Sequence, residues 1–179
     1  MGEIRDARID DIEKMCMVNA YSWLTTYKDI LPRYILEERL KALDTRIKNT
    51  KKDLIEHPDH IKLVALYDDL IVGMSYAGIS ETKKYPNIGE IYNLYILKEY
   101  QHLGIGKKMF YEAVKRLVYS GFNEMIIKCI KDNPSCFFYE KIGGVKIGED
   151  IASIYGYEVM ENIYYYDDLK KKVKEYGRR

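Results

Sequence analysis

Residues 101–106 read Gln101-His102-Leu103-Gly104-Ile105-Gly106, and Lys107 and Lys108 then open an amphipathic run. The stretch just upstream, Glu90 to Leu97, reads as a buried strand. A strand entering a two-glycine turn that opens a helix is a place to hold a pyrophosphate. The helix start offers free backbone N–H donors and the positive end of its dipole. Glycines let the backbone approach phosphate oxygens that a Cβ would keep away. Gln101 is the only glutamine in the chain. Two phosphate motifs do not fit. A P-loop needs GxxxxGK[ST], and here Lys107 is followed by Lys108 with too few residues between the glycines. A dinucleotide fingerprint needs a third glycine, where this chain has Met109, and an early strand–helix turn. Taken alone, the segment also reads as a plain strand–helix turn.

The bulk composition narrows the class. The chain has 179 residues and is 47% hydrophobic, which suits one domain over residues 1–179 with a full core. Lys and Arg number 29 against 28 Asp and Glu, so no charge excess points to a nucleic-acid or membrane-surface binder. No apolar run reaches the roughly 18–20 residues of a membrane span. The N-terminal residues lack the apolar core of a signal peptide. Cys16, Cys129 and Cys136 form no CxxC pair and cannot all pair with one another, which fits a reduced cytoplasmic setting. His57, His60 and His102 show no metal-ligand spacing with them, and no metal is expected. The many tyrosines and lysines hint at a heat-adapted source.

The elements that must position the turn follow from periodicity. Residues 4–7 read as a short strand. A helix capped by Asp10 or Asp11 runs to about residue 26, and Pro32 starts another over 33–46. Residues 48–59 read as a solvated helix or loop. Strands over 61–67 and 71–80 flank an Asp68-Asp69 turn. The strand 88–97, the glycine turn and a helix to about residue 120 come next, stopped by Gly121. A strand over 124–130, a short helix from Asn133-Pro134 to Lys141, a hairpin pairing 145–149 with 157–166, and a helical tail complete the order. This order predicts one mixed sheet covered by helices.

Three segments together resemble the GNAT family of N-acetyltransferases. Gln101, Gly104 and Gly106 match its acetyl-CoA loop after the fourth strand. Asn133, Cys136, Phe138, Tyr139 and Gly143 resemble its second signature, on the short helix after the fifth strand. Here a cysteine stands for the family's alanine, and Gly144 for a final phenylalanine, which predicts looser packing there. Trp23, Tyr27 and Ile30-Leu31-Pro32 are similar to a common opening of the family, and the pattern is most like its PaiA-type polyamine acetyltransferases. The resemblance implies an α/β (α+β) class: a single mixed, mostly antiparallel sheet of about seven strands flanked by helices.

The resemblance also implies roles. Gln101, His102, Leu103, Gly104, Ile105, Gly106 and Lys107 would hold the pyrophosphate of acetyl-CoA. Leu94, Tyr95 and Ile96 would act through backbone groups left free where the sheet splays, pairing with the pantetheine arm. Asn133 and Ser135 would touch the cofactor, although helix capping is the ordinary job of such an asparagine. Tyr139 would donate a proton to the departing thiolate, as a phenol with a pKa near 10 can. Its plain alternative is a core aromatic. Glu90 lies fourteen residues before Gly104, where the histone acetyltransferase branch carries its catalytic glutamate. Strand alternation puts it on one face with Tyr92 and Leu94. It would be the base through water, or simply bind a cationic acceptor; its plain alternative is a carboxylate that ends the strand in solvent.

The acceptor site of this fold is built by the loop between the first two helices and by the last hairpin. These offer Trp23, Tyr27, Asp29, Tyr155, Tyr157, Glu158 and Glu161. Aromatics and carboxylates suit a flexible amine such as spermidine or spermine. Acetylation of a protein N-terminus or lysine, and a regulator that binds acyl-CoA without turnover, are the competing readings. No nucleic-acid or membrane partner is expected, and strand 157–166 is the candidate face for a homodimer.

Overall fold

A computed structural model describes residues 2–178. The elements are β1 (Glu3–Asp6), α1 (Ile12–Tyr27), α2 (Arg33–Lys41), α3 (Leu43–Glu56), β2 (Ile61–Tyr67), β3 (Leu70–Ile79) and β4 (Gly89–Ile96). After them come α4 (Ile105–Tyr119), β5 (Met125–Ile130), α5 (Ser135–Lys141), β6 (Val145–Ile154), β7 (Tyr157–Tyr166) and α6 (Leu169–Tyr176). The seven strands form one sheet in the order β1-β2-β3-β4-β5-β7-β6. Every neighbouring pair is antiparallel except β4 with β5. This is the mixed, mostly antiparallel sheet the sequence leads one to expect. No helix among the described residues is long and apolar enough to cross a membrane.

Helices cover both faces, so strand interiors read as continuous apolar runs rather than alternating ones. Leu63, Val64 and Ala65 of β2 are all fully buried for this reason. On one face Phe110, Ala113, Val114 and Leu117 of α4 pack with Leu63, Ile91, Ile127, Tyr164 and Tyr166. On the other, Ile12, Met15 and Val18 of α1 pack on Val64 and Met74. Trp23, Tyr27, Ile35 and Leu36 pack on Ile130 and Val159.

Three elements depart from the expected boundaries. The helix expected over 33–46 ends at Ala42, whose φ/ψ of −79°/1° divides α2 from α3. The cause is packing. Ile35 and Leu36 belong to the cluster around Trp23, whereas Leu43, Ile47 and Leu54 lie on the cluster around Met15. One straight axis does not serve both patches. Strand β6 runs five residues past the expected end at Glu149, because Ala152 and Ile154 point inward onto the Trp23 cluster. Finally, β7 lies inside the sheet and β6 forms its edge. The segment 157–166, expected to offer a dimer face, pairs within the chain with β6 over 157–165 and with β5 over 161–166.

Two irregularities in β4 prepare the site. Tyr76 pairs with Asn93 and Ala77 with Ile91, so Tyr92 is an extra residue in β4, a β-bulge. The bulge reverses the alternation. Ile91 and Leu94, three apart, both pack against the α4 face. Leu94 is therefore not on the face of Glu90, as regular alternation predicts. The second irregularity is the short ladder to β5. Only Gly89, Glu90 and Ile91 find β5 partners, in Met125, Ile126 and Ile127, and the strands then part.

A buried ion pair sits away from this gap. Lys62, with a side chain 1% accessible, pairs with Asp53 of α3, and the ammonium also lies 4.7 Å over the Tyr76 ring. Burial alone would raise the Asp53 carboxyl. Hydrogen bonds from Lys62, Tyr76 and His60 outweigh it and hold the group at about 2. An acid held below its unfolded value stabilises the fold above that value and loses the contribution as pH falls through the folded one. Asp53→Asn is thus expected to destabilise the protein by about 3 kcal/mol at pH 7, because Lys62 stays buried without its counter-charge. Denaturant melts at pH 7 and near pH 2 check this. The gap from wild type must narrow in acid, and equal gaps would refute the assignment.

Candidate active site

The parted strands open a cavity of about 610 Å³. It runs between β4 and β5, from the glycine turn to the hairpin of β6 and β7. Its walls include Leu94, Tyr95 and Ile96 of β4, and Ile127, Lys128, Cys129 and Ile130 of β5.

One end is the turn into α4. Gln101 donates from Nε2 to the Ile96 carbonyl at 3.0 Å, tying the turn to the end of β4. His102 and Gly104 both take positive φ, 62° and 81°. Such a backbone favours glycine at 104, where a Cβ would have no neighbour within 4 Å to exclude it on grounds of space. Lys108 makes the first helical bond, to the Gly104 carbonyl at 3.0 Å. The N–H groups of Ile105, Gly106 and Lys107 precede it and are the donors a helix start leaves without an internal partner. Gly106 differs from Gly104. A Cβ there would meet only Ile96 Cγ1, at an ordinary 3.6 Å. Packing within the chain does not demand a glycine at 106, and the space beside it belongs to the cavity.

The middle of the cavity is closed by α5. Asn133 accepts from the Ser135 N–H at 2.9 Å, capping the helix, and donates to the Tyr27 hydroxyl at 3.0 Å. Tyr139 is 5% exposed and lines the cavity. Its carbonyl accepts from the Tyr166 hydroxyl and the Gly144 N–H, both at 2.9 Å. A Cβ on Gly144 would stand 2.7 Å from the Tyr166 hydroxyl. The looser packing expected at Gly144 is therefore absent, because Tyr166 occupies the space. Burial, with Cys129 and Tyr95 adding to it, pushes the Tyr139 phenol well above its ordinary value, so it stays protonated. A neighbouring hydrogen bond from Cys129 holds the half-buried Cys136 thiol below its usual range.

The far end lies under α1 and α2. Trp23 Nε1 donates to the Tyr95 hydroxyl at 2.9 Å, and Arg39 stacks 4.2 Å over the Trp23 ring. Arg39 also donates to Asn19 Oδ1 at 2.6 Å. Glu161 of β7 faces Lys128 across 3.6 Å. Asn93 presents a buried amide oxygen without a hydrogen-bond partner.

Of the residues singled out from sequence, Leu94, Tyr95, Ile96, Gln101, His102, Gly104, Gly106, Lys107, Asn133, Ser135 and Tyr139 line this one cavity. So do Trp23, Tyr27 and Glu161 from the acceptor set. Leu103 is 56% exposed and off the lining, and the Ile105 side chain packs with Val72 and Met109. Either can reach a ligand only through its backbone. Asp29, Tyr155, Tyr157 and Glu158 also stand off the lining. Glu90 is buried, 3% exposed, and off the lining as well. Its Oε2 accepts from Ser80 Oγ at 2.8 Å and Thr82 Oγ1 at 3.2 Å. Sequence reasoning misses Lys128, Asn93 and Arg39. The first two carry a signal, a polar residue inside an apolar strand. Arg39, in a polar helix, carries none.

Strands parted over free backbone, a helix start at one end and a buried phenol between them describe a group-transfer site. The chain belongs to the acetyltransferase (GNAT) family, whose model matches residues 20–144, and it is an N-acetyltransferase. It is 28% identical over 164 residues to the spermidine N(1)-acetyltransferase of Thermoplasma acidophilum, covering 90% of this chain and 97% of that one. It is 27% identical over 165 residues to YuaI, an uncharacterised N-acetyltransferase of Bacillus subtilis, with 90% of each covered. The crystal structure of the PaiA N-acetyltransferase from Thermoplasma acidophilum, in complex with coenzyme A, matches with a TM-score of 0.69 at 25% identity. That match covers 93% of this chain and 99% of the other.

Proposed function

We propose that residues 1–179 act as one acetyltransferase domain that moves the acetyl group of acetyl-CoA to a primary amine of a small polyamine, spermidine or spermine, within a ternary complex. The observation that carries this reading is the gap between β4 and β5, which leaves residues 92–96 without β5 partners and leads to the open start of α4. Backbone groups of Leu94, Tyr95 and Ile96 pair with the pantetheine arm. The N–H groups around Gly104 and Gly106, with Gln101, His102 and Lys107, hold the pyrophosphate. Asn133 and Ser135 form the wall beside them. Tyr139 gives its proton to the leaving sulfur. Glu90, fixed by Ser80 and Thr82, stands behind the acceptor end and helps to hold a cationic amine.

Support for a polyamine comes from the likeness to a spermidine acetyltransferase and from an acceptor end walled by Trp23, Tyr27, Tyr92 and Glu161. Aromatic faces and a carboxylate suit a flexible cation. Steady-state assays with acetyl-CoA over an amine panel test it. Spermidine and spermine are expected to be among the best acceptors, and no turnover of either would sink the polyamine assignment.

A further inference from the structure

Amine acetylation needs a group that takes a proton from the acceptor, because an ammonium has no lone pair for attack. The cavity offers few. Glu161 is the one carboxylate among the described residues that line it. His102 lines it at the glycine turn, beside Gly104 and Gly106, and is exposed. Glu90 is off the lining, and its carboxylate is engaged by two hydroxyls. The Glu161 side chain is 17% accessible: open enough to meet a ligand, enclosed enough to be partly desolvated.

We propose that Glu161 is the general base that takes the proton from the acceptor ammonium. This rests on the transferase reading of the cavity and holds for any primary amine that enters it.

The surroundings suit that work. Lys128 of β5 faces Glu161 at 3.6 Å and Asp150 of β6 at 4.0 Å. Glu90 of β4 is the other charged neighbour, and Arg39 of α2 lines the same cavity. Burial raises the Glu161 carboxyl, Asp150 and Glu90 add to the rise, and Lys128 opposes it. A raised carboxyl is a stronger base than a free glutamate at about 4.3. Lys128 has a second effect, since a cation beside the incoming ammonium makes its proton easier to remove.

The protons and electrons balance. Glu161 takes one proton from the acceptor ammonium and becomes a neutral acid. The freed nitrogen lone pair forms the C–N bond at the acetyl carbon, and the carbonyl oxygen takes the displaced electron pair. The C–S bond then breaks as the carbonyl re-forms. The sulfur leaves with its electron pair and takes a proton from Tyr139. The resulting phenolate recovers a proton from the substituted nitrogen, leaving the neutral amide. Glu161 returns its proton to water.

The test is Glu161→Gln, which keeps size and removes the base. At pH 7, kcat for an accepted amine should fall roughly 100- to 1,000-fold, with acetyl-CoA affinity within about threefold of wild type. The decisive readout is pH dependence. The deficit must shrink as pH rises toward the acceptor's own pKa of about 10, because a free amine needs no base. Glu161→Asp should recover part of the rate. A raised amine KM with kcat and pH profile unchanged would make Glu161 a binding residue and overturn the proposal. So would Glu90→Gln, but not Glu161→Gln, producing the pH-dependent deficit. Failure of spermidine with success of another amine removes only the polyamine reading. No turnover of any amine by the wild-type protein would overturn both.

Discussion

Tyr139→Phe is expected to lower kcat roughly 100-fold while acetyl-CoA binds within about threefold of wild type. The change removes one hydroxyl and little else. The contacts that fix the residue run through its carbonyl, which holds Tyr166 and Gly144, and these survive the substitution. The ring also keeps its place beside Phe138 and Tyr164. Stability should change by less than about 1 kcal/mol, so a fall in rate reads on chemistry. Because the phenol is held well above its ordinary value, wild-type activity should show no alkaline loss from its ionisation below about pH 10. Single-turnover kinetics with a saturating amine is the direct measurement. An unchanged rate would remove Tyr139 from proton transfer and leave it a core aromatic.

Gly106→Val should separate binding from folding just as sharply. The new Cβ meets nothing closer than Ile96 Cγ1, at an ordinary contact distance of 3.6 Å. The valine also replaces a residue that costs a helix about 1 kcal/mol relative to alanine. The folded protein should therefore melt at or slightly above the wild-type temperature. Acetyl-CoA affinity should fall roughly 100-fold, the cost of pushing phosphate oxygens away from one or two N–H donors. Calorimetric titration with acetyl-CoA, beside a thermal melt, measures both. Wild-type affinity in a well-folded variant would show that the cofactor does not approach this turn. Gly104→Val is the contrasting change, because a φ of 81° strains valine whatever fills the cavity.

These contrasts show what can be read in sequence and what cannot. The turn at Gln101–Gly106 is legible because its physics is local: a strand end, two glycines and a helix start lie within about ten residues. The same holds for Asn133 capping α5 and for the Asp68-Asp69 hairpin turn. The bulge at Tyr92 is not legible, since Glu90–Ile96 carries no glycine or proline to mark it. Without it, Leu94 falls on the wrong face. The division of α2 from α3 is equally hidden, because the two halves answer to different patches of the sheet. The pairing of Lys128 with Glu161 depends on β7 inserting between β5 and β6, a choice of strand order that no local pattern encodes. For that reason the sequence points to Glu90, a residue at a familiar spacing, while the cavity presents Glu161.

The short ladder between β4 and β5 has a consequence for the molecule as a whole. Strands β1 to β4 form one half-sheet and β5, β7 and β6 another, and three paired positions are all that joins their backbones. Beyond those positions the seam has no ladder between β4 and β5, although side chains and turns already engage some carbonyls there, such as that of Ile96. A ligand arm lying in it would supply the missing rungs and act as a removable piece of secondary structure. Stability and occupancy are then two views of one equilibrium, so the protein gains rigidity from the donor it consumes. Each turnover would loosen the seam again, and release of the spent carrier would coincide with the moment the two halves are least firmly joined.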